Sequence, residues 1–268
     1  MLDTPLVTSN FCRSLSTLSP SSKHRQPLTF IKQGESISIS SQQCVISATT
    51  TIETLRLSES LQRLLPSITD DFKLICSPSI RQQATLGGNL VNASPIGDLS
   101  VFFLALDVSL SLSSSTGLRR VSLRHFFLSY KQVDLQADEI ISYVDFRYSK
   151  TPILMSYEKV SKRMHLDIAS VNSAMSLCLD AKTLQHIHIS VGGVAAIPLY
   201  LHKTCAFLQG QTITIELLKQ ALDIAQSEIS PLSDIRGSAE YKRLLLKQLL
   251  IAHWLKLIPE YVSWEDFQ

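Results

Sequence analysis

Four of the nine glycines in this 268-residue chain stand as two adjacent pairs, Gly87-Gly88 and Gly192-Gly193. Glycine pairs let a backbone turn tightly or approach a ligand closely, because no Cβ intervenes. The first pair lies in Thr85-Leu86-Gly87-Gly88-Asn89, followed by Ala93-Ser94-Pro95-Ile96-Gly97-Asp98. Successive amides there can form a nest for phosphate oxygens, with the Thr85 hydroxyl and Asn89 amide as further donors. Asp98, an acceptor when ionised, suits a sugar hydroxyl. A bend between elements is an equally good use of the same glycines. The G-x-G-x-x-G dinucleotide fingerprint does not occur, and no G-K-[ST] follows the pair as in a P-loop. His186-x-His188 places two imidazoles on one strand face, but with no third ligand nearby a solvated face is the better reading than a metal site. The five cysteines are scattered without a C-x-x-C pair and read as isolated reduced thiols, neither disulfide framework nor cluster site.

The elements that carry these residues follow from periodicity. Residues 28–46 alternate loosely, with Ile37 and Ile39 separated by serine, which predicts short strands. Thr50 or Thr51 caps a helix holding Ile52, Leu55 and Leu61, stopped by Pro66. Val108, Leu110 and Leu112 share a strand face closed by Gly117, and Ile140 to Phe146 is another strand. Pro152 marks a break. Val171, Ser173, Met175, Leu177 and Leu179, then Ile187, Ile189 and Val191, form a hairpin across the turn Asp180 to Thr183. The period then lengthens. Thr214 caps a helix with Ile215, Leu218, Ala221, Leu222 and Ala225, and Ser238 caps a longer one with Tyr241, Leu245, Leu249 and Trp254, ended by Pro259. Strands followed by segregated helices make an α+β chain.

Lysine plus arginine number 25 and aspartate plus glutamate 23, a net +2 without long runs of one sign. That balance argues against nucleic-acid or polybasic membrane partners. The longest apolar stretches fall short of the roughly 18–20 residues that span a bilayer. The expectation is a soluble, cytoplasmic protein. Met1 to Lys32, rich in serine and threonine with Asp3 as its one acid, reads either as a faint targeting segment or as a frayed amino terminus.

Ile80-Arg81, Thr85 to Asn89 and Ala93 to Asp98 resemble the FAD-binding (medium) subunit of molybdenum hydroxylases, the xanthine dehydrogenase and carbon monoxide dehydrogenase flavoprotein family. Five later stretches continue the resemblance in order. Phe126-Phe127-Leu128-Ser129-Tyr130-Lys131 is similar to the family's F-F-x-G-Y-[KR], with Ser129 where glycine is usual. Asp138-Glu139-Ile140-Ile141, the loop from Lys159 through Arg163 to Asp167-Ile168-Ala169, Val191 to Ala195 and Asp234 to Tyr241 complete the set. One family feature, an amino-terminal G-G-T-[DE] loop supplying the other half of the diphosphate cradle, has no counterpart: before Thr85 the sole glycine is Gly34.

The resemblance implies an atypical segment over 1–27, a partial FAD-binding domain over 28–150, and a C-terminal domain of antiparallel sheet packed on helices over 151–268. It implies that Thr85, Leu86, Gly87, Gly88 and Asn89 hold the FAD diphosphate and that Asp98 binds the ribose or ribityl side. Ile141 would pack on the flavin and Lys159 would approach its polar edge. The loop ending at Asp167 would lie near the flavin face, and Ile75 would make an apolar contact. No side chain is implied as an acid–base catalyst. The implied activity is that of an oxidoreductase subunit in a hetero-oligomer. FAD would take electrons from iron–sulfur clusters on one partner chain and pass them to NAD⁺ or another acceptor, with molybdopterin on a further partner. With half a cradle, FAD binding would be weak. The alternative is a flavin-free remnant serving such a complex as an assembly module.

Overall fold

The structure, a computed structural model, describes residues 36–40, 42–149, 151–163 and 167–268. The expectations for Met1 to Lys32 therefore lie outside the described residues.

The chain opens with strands β1 (Ile37–Ile39) and β2 (Gln43–Ser47). Helices α1 (Ile52–Leu57) and α2 (Glu59–Leu64) follow where one helix was expected. The break falls at Ser58, which leaves helical geometry (ψ 110°) and turns its hydroxyl to the Leu61 amide, ending one helix and capping the next. A serine cap of this kind stabilises a helix by about 1 kcal/mol, enough to outweigh continuing through a residue of poor helix propensity. Then come α3 (Ile68–Asp71), a 3₁₀ turn (Phe72–Leu74), α4 (Pro78–Arg81), α5 (Leu86–Asn92) and α6 (Asp98–Leu104). They are followed by β3 (Ser109–Ser114), β4 (Gly117–Ser122), α7 (Leu123–Phe126), β5 (Phe127–Ser129), β6 (Gln132–Val133) and β7 (Ile140–Arg147). The second half holds β8 (Leu154–Ser161), β9 (Ala169–Asp180), β10 (Thr183–Gly192), β11 (Leu199–Tyr200), α8 (His202–Leu208), α9 (Ile215–Glu228) and α10 (Ala239–Leu257).

Two larger antiparallel sheets organise these elements, in the orders β1-β2-β7-β3-β4 and β11-β10-β9-β8. The second carries the expected hairpin, with Thr183 opposite Asp180 and Val191 opposite Ser173. Helix α10 packs on β8 and β9, and α6 packs on β9 and β10. The sheet is thus covered on both faces, and ten successive residues of β9, from Ala169 to Cys178, are buried. One face is the apolar row read from the sequence. The other carries Ser170, Asn172 and Ser176, whose polar atoms must find partners because burial without them is costly. Ser176 donates to the Ala105 carbonyl at 2.5 Å, and Ser190 of β10 donates to Val101 at 2.5 Å.

Thr214 and Ser238 cap α9 and α10 as expected, accepting from the Leu217 and Tyr241 amides. The buried stripe of α10 is rotated from the expected one. Lys242, Leu246, Leu249, Leu250, His253, Trp254 and Leu257 face inward, while Tyr241 is 44% exposed. The Lys242 ammonium is neutralised where it is buried, donating to Asp234 Oδ2 at 2.9 Å and to the Leu232 carbonyl at 2.8 Å. That pairing holds the Asp234–Gly237 turn against the helix and lets a charged residue occupy an inner position.

Candidate functional site

The Thr85 to Asn89 stretch is the first turn of α5. The Thr85 hydroxyl accepts the Gly88 amide at 3.1 Å, and the Asn89 amide returns to the Thr85 carbonyl. The stretch is pinned to the turn before α1. The Leu86 amide donates to the Thr50 carbonyl at 2.9 Å and the Gly87 amide to Ala48 at 2.8 Å. The amides expected to form an open nest are therefore engaged within the chain. Gly87 is glycine for packing, since a Cβ there would lie 2.9 Å from the Ala48 methyl carbon. Gly88 is exposed, and a Cβ there would meet Thr85 Oγ1 alone, at 3.0 Å. Beside it Asn89 Oδ1 is buried without a partner, an acceptor left for a donor from outside the chain.

The second glycine pair brings Asp98 to the second sheet. The Gly193 amide donates to the Pro95 carbonyl at 3.0 Å, and a Gly193 Cβ would sit 2.4 Å from the Ser170 carbonyl oxygen. At φ +83° that residue is in the region glycine favours. With the 95–97 loop drawn onto β10, Asp98 at the start of α6 meets three side chains of β8 and β9. Its Oδ1 accepts from the Tyr157 hydroxyl at 2.6 Å and from Asn172 Nδ2 at 2.7 Å; its Oδ2 accepts from Lys159 Nζ at 2.9 Å. Burial and the adjacent Asp98 carboxylate push the Tyr157 hydroxyl well above the usual tyrosine range, so it remains a donor.

Lys159 also donates to the Leu74 carbonyl at 3.0 Å, which places the segment of Ile75 beside the ion pair. The next residue, Cys76, holds φ +53°, and its thiol is pushed up first by burial and then by Asp98. Arg81 grips the other side of this segment, donating to the Ile75 carbonyl at 3.1 Å and to Cys76 at 2.8 Å, while its Nε pairs with Glu53 at 2.7 Å. The Arg56 hydrogen bond, reinforced by Arg81, holds the Glu53 carboxyl down at about 2.

The structure thus brings Ile75, Asp98 and Lys159 together, and Arg81 links them to Thr85 four residues on. Ile141 is paired with Leu112 in the first sheet at 1% exposure, and the carbonyl of its neighbour Ser142 accepts the amide of Ala48, the residue against which Gly87 packs. Asp167 accepts the Arg163 and Ile168 amides at 3.0 and 2.9 Å and so closes its own loop. Met164 to Leu166 of that loop lie outside the described residues. Lys162 donates to the Ile235 carbonyl at 2.6 Å, joining the loop to the Asp234–Gly237 turn. His188 is not simply solvated: its Nδ1 lies 2.8 Å from the Tyr200 hydroxyl and 3.2 Å from Arg124, and burial pulls its pKa down to about 4. No metal-holding cluster occurs among the described residues.

Sequence reasoning missed Tyr157 and Asn172. Tyr157 shares a strand face with Lys159 at i, i+2, and Asn172 is paired with Lys159 in register, so both were reachable once Lys159 was singled out.

Two family profiles match the chain: the FAD binding domain in molybdopterin dehydrogenase over residues 27–146, and the CO dehydrogenase flavoprotein C-terminal domain over 156–257. The chain belongs to the FAD-binding medium-subunit family of the molybdenum hydroxylases. It is similar to the carbon monoxide dehydrogenase medium chain of Hydrogenophaga pseudoflava, at 29% identity over 79% of this chain and 75% of that one. The crystal structure of carbon monoxide dehydrogenase from the same organism, lacking the Mo-pyranopterin moiety, superposes with a TM-score of 0.78 at 26% identity, covering 84% of this chain and 78% of that chain. Xanthine dehydrogenase 1 of Arabidopsis thaliana is 32% identical over 66% of this chain, and xanthine dehydrogenase/oxidase of Gallus gallus 31% over 71%. The chain spans 13% and 14% of those two proteins. Among the described residues no helix is long and apolar enough to cross a membrane.

The residues fit a flavin nucleotide. Gly88 presents backbone without a side chain, Lys159 uses two of its three donors within the chain, and the unpartnered Asn89 Oδ1 is an acceptor that suits a hydroxyl or N–H of such a ligand, not its phosphates.

Proposed function

We propose that this chain is the flavoprotein subunit of a xanthine dehydrogenase-like molybdenum hydroxylase, acting in the cytoplasm, with its flavin-binding part over 28–150 and its C-terminal part over 151–268. The observation that carries the reading is the Asp98–Lys159 ion pair, which joins the two parts that the family profiles cover, with the Thr85–Asn89 turn on the helix packed beside that of Asp98. FAD, when bound, would supply the electron-carrying chemistry between iron–sulfur clusters of a partner and NAD⁺ or another acceptor. This chain's residues bind and orient. Gly88 and the Nδ2 amide hydrogens of Asn89 would face the diphosphate, Asp98 the sugar hydroxyls, and Lys159 the polar edge of the ring. Ile75 and Ile141 would form apolar walls behind them, and the loop ending at Asp167 would lie by the flavin face. Molybdopterin would sit on a further chain.

The test is a titration of the purified chain with FAD, followed by absorption and flavin fluorescence, beside a variant carrying Gly88→Val and Asn89→Ala. Saturable binding by the native chain and its loss in the variant are expected. Absence of binding by both would reject the flavoprotein reading. It would favour an assembly module, a role compatible with the engaged amides of Leu86 and Gly87.

A further inference from the structure

We propose that Tyr157 and Asn172 are positioning residues for the cofactor site: by fixing Asp98, at the start of α6, against the second sheet, they make that sheet a determinant of FAD affinity. The proposal rests on the flavoprotein reading and deepens it.

Asp98 stands on α6, whereas its three donors come from β8 and β9. Tyr157 and Asn172 are both at 0% exposure and share Oδ1, and Asn172 Nδ2 also lies 3.2 Å from the Tyr157 oxygen. Two donors on one oxygen define the carboxylate plane. They direct Oδ2 to Lys159, whose ammonium reaches on to the Leu74 carbonyl. The Asn172 orientation is determined by its neighbours, since a flipped amide would set its oxygen against the Asp98 carboxylate.

Stability alone is a poor reason for this arrangement. A buried ion pair with its hydrogen-bonded neighbours is often no better than apolar side chains of the same volume, because desolvation offsets the attraction. The network does fix three segments relative to one another. Asp98 holds the start of α6, Lys159 holds the Leu74–Cys76 segment, and Arg81 ties that segment to the residues leading into Thr85. Those are the segments that would surround FAD. A site whose polar groups are already held pays less ordering entropy on binding.

The experiment is a cycle of FAD titrations on the full chain: native, Tyr157→Phe, Asp98→Asn and the double variant, each also followed by thermal unfolding with and without FAD. Tyr157→Phe keeps the ring and removes the donor. It is expected to weaken FAD binding about tenfold and to reduce the stabilisation that FAD confers, whereas Tyr200→Phe, which removes a buried hydroxyl bonded to His188 and not to Asp98, leaves both unchanged. If Tyr157 acts through Asp98, the double variant binds no more weakly than Asp98→Asn alone. Asn172→Ala enters the same cycle should Tyr157→Phe fail to fold, with the same expectation. Unchanged FAD affinity in the folded variant, or losses that multiply in the double variant, would overturn the proposal while leaving the flavoprotein reading intact. A native chain that binds no FAD would overturn both.

Discussion

Gly192 and Asn172 are in close steric register: a Cβ on Gly192 would lie 2.2 Å from Asn172 Oδ1. It would also meet the Pro95 carbonyl oxygen at 2.9 Å and a Val101 methyl at 3.0 Å. The glycine is therefore a packing requirement that allows Asn172 to reach Asp98. Gly192→Ala is expected to destabilise the fold by about 1–3 kcal/mol through overpacking. Urea unfolding measures this, and a variant as stable as the native chain would refute the constraint. FAD titration of the same variant should show weakened binding, because the displaced Asn172 amide no longer orients Asp98.

Arg81 is buried and directs three of its five N–H donors to Glu53 and the carbonyls of Ile75 and Cys76. Arg81→Met keeps much of the side-chain stem but leaves two carbonyls unanswered and Glu53 with Arg56 alone. Because breaking a buried pair leaves uncompensated polar groups, a loss of about 3–5 kcal/mol is expected in denaturant unfolding. Arg81→Lys should recover only part of it, since an ammonium cannot span a carboxylate and two carbonyls as a guanidinium does.

Thr85→Ala removes the hydroxyl that accepts the Gly88 amide at 3.1 Å. The expected cost is about 1 kcal/mol of stability, typical of a lost N-cap. Thr85→Ser retains the oxygen and should restore most of it. Thermal unfolding of the pair distinguishes the cap from the lost methyl packing.

His253 donates or accepts against Ser173 Oγ at 2.8 Å in the interior of α10 and β9, and burial pulls its pKa from 6.5 down to about 3. The folded state thus keeps the imidazole neutral while the unfolded state takes up a proton below 6.5. Stability contributed by this group is complete above that value and falls as pH drops toward 3, with a slope of up to about 1.4 kcal/mol per pH unit. Urea unfolding between about pH 5 and pH 7 should show that slope. His253→Gln should be less stable at neutral pH yet show a shallower pH dependence; an unchanged slope would assign the effect elsewhere.

The sequence by itself determined most of the local elements and the family. Thr51, Thr214 and Ser238 cap helices because their hydroxyls satisfy first-turn amides, and the β9–β10 hairpin follows from alternation on both sides of a four-residue turn, interrupted between Leu184 and His186. The motif from Thr85 to Asp98 was legible as a place where backbone and polar groups concentrate. Tertiary structure alone decided what those groups do. The Leu86 and Gly87 amides go to Thr50 and Ala48, Asp98 takes donors 59 to 74 residues away, and α10 turns Lys242 inward because Asp234 awaits it. A hydrogen-bonding group in a sequence has a type but no partner. Its partner is fixed only when burial removes water from the competition and packing leaves one group within reach.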